Sequence, residues 1–377
     1  MKSTGLRCFL GLAMSLVLAA ATPGETAVPR VAPSRPPVPQ LWPTLRLRGA
    51  DYIDVREIAR RFELQAAWSK PELAMALRDA RGVRLTFENG QYDFNFDGLR
   101  VFLGERVLFD RNTLWVPKLD VITLVAPLLR PADHLAQLPE KAPKTIVLDP
   151  GHGGGDPGTE NKRLGLNEKT FTLDIAQRLK KLLEEQGWRV LLTRGDDREL
   201  SKNKKIDLQL RDELANDAKA DLFLSIHLNS VETDPAHVTG VETYTMSPQF
   251  MLSTGDGKKD DLTDTAYPSN KLDYANLFLG EQLHRGMIAT LKTPDRGFKR
   301  GRRAVLRLLD CPGALVECAY LSNDAEARRV ATPEFRQQIA MALAAGLHNY
   351  AAALDALRAP PAAANAPARS TSAAPSP

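Results

Sequence analysis

Four short segments of this chain carry side chains suited to metal-assisted hydrolysis. The run Asp149-Pro150-Gly151-His152-Gly153-Gly154-Gly155-Asp156-Pro157-Gly158 sets one imidazole among glycines. There the backbone can approach closely and little bulk surrounds the ring. Gly165-Leu166-Asn167-Glu168-Lys169 follows, then Ser225-Ile226-His227-Leu228-Asn229, and last Leu315-Val316-Glu317-Cys318-Ala319-Tyr320-Leu321-Ser322-Asn323. Two imidazoles and one carboxylate, His152, His227 and Glu168, make a catalytic zinc set that leaves a fourth position open. Zinc in such a set would lower the pKa of water toward neutrality and polarise a carbonyl. A second carboxylate outside the ligands could take the proton and hand it to a leaving amine, and Glu317 has that chemistry.

Each segment also has a plainer reading. A histidine beside glycines can be a loop residue that only hydrogen-bonds. Glu168 at a helix start could serve to complement the helix dipole, and His227 could cap a strand. Glu317 is harder to dismiss. It interrupts the apolar run Ala314–Val316, and a buried carboxylate needs a partner. A nearby cation would supply one.

The elements that must position these groups alternate between strands and helices over 143–354, the pattern of an α/β sheet with mostly parallel strands flanked by helices. Strands are expected at Thr145–Asp149, Trp188–Thr193, Leu222–Ile226, Val241–Met246, Ala304–Leu308 and Ala314–Cys318. Phe171, Ile175, Leu179 and Leu182 recur at helical spacing until Gly187 stops them. Further helices are expected through Leu208–Ala218 and Leu272–Leu291. A last one starts at Thr332-Pro333-Glu334, with a polar cap and a proline in its first turn. Its stripe is Phe335, Ile339, Leu343, Leu347 and Tyr350. His152 and His227 fall at the carboxyl ends of strands, where open α/β sheets place their ligands.

The rest of the chain divides by texture. Residues 1–21 read as a secretory signal: Lys2 and Arg7, then an apolar stretch from Phe9 to Ala20, then small residues. The competing reading is a membrane anchor, but the stretch falls short of the ~20 residues a spanning helix needs. The mature protein is therefore expected to be exported, periplasmic or extracellular, with no membrane span. Residues 22–43 hold seven prolines and read as an extended tether. Residues 44–133 form a small β-rich block with hairpin turns at Asn89-Gly90 and Asp97-Gly98. Residues 355–377 are an Ala/Pro-rich tail with the composition of disorder.

Composition narrows the partners. Lys and Arg number 50 against 46 Asp and Glu, a net charge of +4 over 377 residues. That balance lacks the clustered basic footprint of nucleic-acid binding. Three cysteines exclude a disulfide scaffold or a Cys-rich zinc module. Cys311 and Cys318, separated by an extended segment, are expected as two separate buried thiols.

The four segments, in this order and spacing, resemble the zinc-dependent N-acetylmuramoyl-L-alanine amidases of the Amidase_3 type. The resemblance spans about 143–350 and implies a mostly parallel sheet flanked by helices. It implies that His152, Glu168 and His227 hold one zinc ion and that Glu317 is catalytic. It further implies hydrolysis of the amide that joins N-acetylmuramic acid to L-alanine in peptidoglycan. Residues 44–133, with Tyr-Ile-Asp-Val-Arg-Glu-Ile-Ala, two hairpins and Leu-Trp-Val-Pro, loosely resemble the copper amine oxidase N-terminal-like domain, without its copper ligands. Wall or protein contacts through this block are one expectation, a plain spacer another.

Several positions depart from the family pattern. Glu160 introduces a rival carboxylate to Glu168, Leu228 is expected to narrow the cleft, and Cys318 is expected to face the core. Arg194 and Asn229 are candidate substrate-binding residues, with a structural salt bridge the competing role for Arg194 and also for Arg211. His134, His237, His284 and His348 fit no motif and are expected on the surface or in packing. The polar stretch 247–270 is expected to form a loop beside His227, bordering the cleft or closing over it. Two rival functions use the same residues: a zinc peptidase cutting within the wall peptide, and a non-catalytic wall-binding protein.

Overall fold

A computed structural model describes residues 41–254 and 262–359. The signal, most of the proline tether and the end of the tail lie outside the described residues. So does the middle of the 247–270 stretch.

The N-terminal block opens with β1 (Leu45–Leu47), β2 (Ala50–Asp54) and helix α1 (Val55–Arg61), which Asp54 caps by accepting from the Arg56 amide. A meander follows: β3 (Gln65–Lys70), β4 (Ala74–Asp79), β5 (Gly82–Glu88), β6 (Asp93–Phe96) and β7 (Leu99–Phe102). The block ends with β8 (Leu108–Asp110), β9 (Thr113–Pro117) and two short helices, α2 (Lys118–Asp120) and α3 (Ala126–Leu129).

The second block supplies β10 (Thr145–Pro150), the small ribbon β11 (Glu160–Asn161) and β12 (Leu166–Asn167), and α4 (Glu168–Glu184). Then come β13 (Arg189–Leu192), α5 (Lys204–Asp217), β14 (Leu222–Asn229) and β15 (Val241–Thr245). α6 (Asp273–Leu291), β16 (Asp295–Arg300), β17 (Gly313–Tyr320), α7 (Asp324–Val330) and α8 (Pro333–Arg358) complete it. α8 therefore runs past the expected boundary at 354.

β13, β10, β14 and β17 are parallel neighbours, and β15 then pairs antiparallel with β17. The sheet is mixed rather than parallel throughout. Side chains alternate between its faces. Ile146, Leu148, Leu222, Leu224, Ile226, Leu228, Val316 and Cys318 point to one face, where α4, α6 and α8 cover them. The α4 stripe Phe171, Ile175, Leu179 and Leu183 is buried there, at about 1.5–3 kcal/mol for each large apolar side chain. Val147, Phe223 and Leu315 point to the other face, against Ala215 of α5 and Val305, Leu306 and Leu309. Asp149, Ser225, His227 and Glu317 share that second face further along the strands.

The sheet does not stop at the second block. β16 pairs with β7, Phe298 opposite Val101, so β7 to β3 extend it to eleven strands. Asp295 Oδ2 accepts from the Arg100 amide at 2.8 Å, and its Oδ1 meets His284 Nε2 at 2.8 Å. Leu277 and Phe298 are buried in the same cluster as Ile53, Leu77, Phe87 and Val101.

Two local expectations are corrected. Ala304–Leu308 is not a strand: Ala304–Leu306 forms a 3-10 turn that lays Val305 and Leu306 on the sheet. Leu228 does not narrow the cleft, because it points away from His227 into the helix-covered core. The stretch after β15 leaves the sheet beside the start of β17, since β15 runs antiparallel to it, and its middle lies outside the described residues. Its described residues bond to Arg300 and Arg302. Cys311 and Cys318 are free and buried.

Candidate metal centre

His152 leaves the end of β10 in a left-handed backbone conformation, φ 65°. Such a conformation is strained for a residue with a Cβ and needs its surroundings to hold it. Two buried arginines do so by gripping the carbonyls of this turn. Arg211 donates to Pro150 O at 3.1 Å and His152 O at 3.0 Å. Arg194 donates to Pro150 O at 3.0 Å, Gly151 O at 2.9 Å and Lys169 O at 2.8 Å. Arg194 is 1% exposed. Its expected contact with substrate is corrected, because its guanidinium is committed to backbone. Arg211 also pairs with Asp149 at 2.8 Å and Asp207 at 2.9 Å. Asp149, buried at the end of β10, further accepts from Thr193 and Ser225, each at 2.7 Å.

Glu168 opens α4 behind the Asn167 cap, whose side chain accepts from the Thr170 amide. That placement turns the carboxylate toward both histidines. Its Oε2 lies 3.1 Å from His152 Nε2, and its Oε1 lies 2.8 Å from His227 Nδ1. The amides of Thr159 and Leu228 donate to the same two oxygens at 2.8 and 2.9 Å. The rings of His152 and His227 stand 4.9 Å apart, nearly perpendicular. One donor atom from each of the three residues falls within 4.8 Å of the others. Glycine is required at two points. A Cβ on Gly151 would fall inside the His227 ring, and one on Gly158 would lie 2.6 Å from Glu168 Oε2 and from His152 Cδ2.

His152 Nδ1 lies 2.9 Å from Asp156 Oδ2, which also pairs with Lys204. A carboxylate on the far ring nitrogen fixes the tautomer that leaves Nε2 free to ligate, a common second layer around metal-binding histidines. Burial pushes the Glu168 carboxyl up, but hydrogen bonds from both histidines outweigh it and hold the group well below the usual carboxylate range. Burial pushes the His227 ring down, and Glu168 reverses this, so the ring is raised. Two imidazoles and a carboxylate at these separations fit a compact cation such as zinc.

Glu317 sits on β17 directly opposite His227 of β14, and the pairing shifts register one residue later. Its Oε2 is buried without a hydrogen-bond partner among the described residues. Burial pushes this carboxyl up to about 7, with Glu168 and Glu242 adding to the rise against His227 and Arg303. Glu160 is exposed on the ribbon and stands outside the cluster.

Glu242 was not anticipated. It faces Glu317 across the β15–β17 ladder. It accepts from Lys299 at 2.8 Å, Tyr320 at 2.6 Å, Tyr244 at 2.7 Å and Asn229 at 3.0 Å. Asn229, partly buried, thus donates to Glu242 and accepts from the Ser230 amide at 2.8 Å. No sequence signal marked Glu242, because its strand, Val-Glu-Thr-Tyr-Thr, is not an apolar run for a charge to interrupt. His284 proves fully buried between Thr243 and Asp295, a packing role.

The chain is similar to known proteins over the same region. The profile of the family described as N-acetylmuramoyl-L-alanine amidase matches residues 146–349. N-acetylmuramoyl-L-alanine amidase AmiC of Neisseria meningitidis is 33% identical over 233 residues, 54% of this chain and 52% of that protein. N-acetylmuramoyl-L-alanine amidase LytC of Bacillus subtilis is 33% identical over 207 residues, 55% of this chain and 35% of that protein. The crystal structure of an N-acetylmuramoyl-L-alanine amidase from Clostridium difficile is 29% identical with a TM-score of 0.45. It covers 56% of this chain and 97% of that one. The chain spans about half or less of the length of these two curated relatives. With the profile covering more than half of its residues, this chain belongs to the N-acetylmuramoyl-L-alanine amidase family, Amidase_3.

Proposed function

We propose that this protein is an exported peptidoglycan hydrolase that cleaves the amide between N-acetylmuramic acid and L-alanine. The observation that carries this reading is the convergence of His152, Glu168 and His227 beside Glu317, a carboxyl in ladder register with His227. His152, Glu168 and His227 would hold one zinc ion, which when bound acts as a Lewis acid on the carbonyl and the attacking water.

The remaining chemistry belongs to the chain. Glu317 Oε2, raised toward neutrality, takes the proton of the attacking water as oxygen adds to the carbonyl carbon. The same carboxyl then gives that proton to the leaving nitrogen of L-alanine as the C–N bond breaks. Asp156 keeps the His152 ring oriented, and the two arginines keep the turn before it in place. Residues 44–133 are read as an accessory block that contacts wall or protein. Export rests on the reading of residues 1–21; among the described residues, no helix is long and apolar enough to cross a membrane.

The test is the full mature chain incubated with purified sacculi, with and without a chelator, and mass analysis of the products. Whole stem peptides with a free L-alanine amine are expected, abolished by chelation and restored by zinc. Fragments cut within the peptide would replace this reading with a wall peptidase. Activity that survives exhaustive chelation would remove the metal from it.

A further inference from the structure

One strand beyond Glu317 lies a cationic feature that the hydrolytic steps do not use. Tyr244 of β15 pairs with Leu315 of β17, so its ring shares a face with the Glu317 carboxyl, two residues further along. The chain leaving β16 returns over this ring and sets the Arg303 guanidinium 4.1 Å from the ring centroid. Arg303 is exposed, and no described residue hydrogen-bonds or ion-pairs with its guanidinium. A cavity of about 290 Å³ opens there, and among the described residues its lining includes four arginines and no carboxylate.

The other three arginines have work in the fold. Arg300 pairs with Asp120 at 2.8 Å. Arg302 donates to the carbonyls of Pro248 and Thr263 at 3.1 and 3.2 Å. Arg307 donates to Arg302 O at 2.7 Å. Among the described residues Arg303 has no such employment, and Glu242 is taken by Lys299. A guanidinium laid on an aromatic ring keeps its planar fork ordered and weakly hydrated, which suits paired hydrogen bonds to a carboxylate. One strand across and two residues along places the Tyr244 backbone about 8 Å from that of Glu317, with the fork on the Tyr244 ring. An extended peptide carries the side group of its next residue at a similar distance from the bond being cut.

We propose that Arg303 determines substrate specificity by binding a free carboxylate on the leaving peptide, one residue beyond the scissile amide. The proposal rests on the amidase reading above and names the class of stem peptide it accepts. A free acid is bound at this position; its amide offers no charge to the guanidinium.

Two matched substrates test it: N-acetylmuramoyl-L-alanyl-γ-D-glutamyl-L-lysine, and the same compound with D-isoglutamine, so that the γ-carboxyl is in peptide linkage in both and only the free α-carboxylate is made amide. The wild type should favour the acid about tenfold in kcat/KM, mostly through KM, as one charge-assisted contact provides. Arg303→Gln should bring the acid-to-amide ratio to about one, and Arg303→Lys should keep part of it. A wild-type ratio near one, or a ratio that survives Arg303→Gln, overturns the inference. Calorimetry with L-alanyl-γ-D-glutamyl-L-lysine and its D-isoglutamine counterpart reads the same preference without turnover. Preferential binding of the acid with neither substrate cleaved would refute the amidase reading and keep the carboxylate subsite. Cleavage with no preference in either assay would do the reverse.

Discussion

Glu242 and Glu317 face each other across an antiparallel ladder, and their surroundings push them in opposite directions. Glu242 accepts from four side chains, and although burial pushes it up, Lys299 and these hydroxyls hold it below the usual range. Glu317 has a buried oxygen without a partner and is raised to about 7. One carboxylate is fixed as a charge, and the other is left to exchange protons near neutral pH. Pairs whose environments separate their proton affinities in this way are where acid and base roles divide.

Replacing Glu317 by Gln should lower turnover of sacculi by roughly 10²–10⁴-fold, the usual worth of a positioned general base. The fold should persist, because Gln is isosteric and carries no buried charge. Dye release from labelled sacculi, with circular dichroism as the control, reads both.

The same residue makes a stability prediction for the metal-free protein. A carboxyl raised from 4.5 to about 7 on folding holds its proton longer in the native state. Ionisation therefore costs native stability as pH climbs from 4.5 through 7, with nothing lost below that window. Glu317→Gln should melt higher than the wild type at pH 8 and level with it at pH 4. Melting curves at the two pH values decide this, and an unchanged difference between them would contradict the assignment.

Asp156→Asn should weaken zinc binding by about 10–100-fold, the usual cost of removing a carboxylate behind a ligating histidine. Competition against a fluorescent zinc indicator measures it. Catalysis at saturating zinc should recover most of its rate, since Asp156 touches neither the bond being cut nor Glu317.

Arg211→Met should cost about 3–5 kcal/mol, because it strips the partner from buried Asp149 while leaving the charge in place. It also frees the carbonyls of Pro150 and His152. Urea unfolding should show the loss, and zinc affinity should fall with it.

Gly158→Ala should abolish zinc binding while the remote helices stay folded. Its backbone has φ 68°, and the added methyl would press on both Glu168 and His152. Zinc titration and far-ultraviolet circular dichroism separate these two effects.

The four chemistry-bearing residues were legible because each sits beside a sharp local signal: a glycine run, a helix start, or a charge breaking an apolar strand. β16 was not legible. Its sequence, Asp-Arg-Gly-Phe-Lys-Arg, is charged and holds a glycine, and only pairing with β15 and β7 on its two sides makes it a strand. Ala304–Leu308 misled in the opposite sense, since an apolar run lies flat on a sheet as readily as it joins one. The supporting carboxylates Asp156 and Glu242 looked ordinary because their importance comes from partners distant in the chain. Arg194 was noticed, but sequence could not say that its hydrogen bonds were already taken by the backbone.

The pairing of β16 with β7 bears on how the catalytic half can be handled. Cutting the chain before Lys144 would strip β16 of a neighbour and bare Phe298 and Leu277, leaving a raw sheet margin of the kind that recruits other chains. A shortened protein of that sort is a candidate for clumping, and poor yield from it would say nothing about the chemistry. The N-terminal block thus covers what would otherwise be an open margin of the sheet.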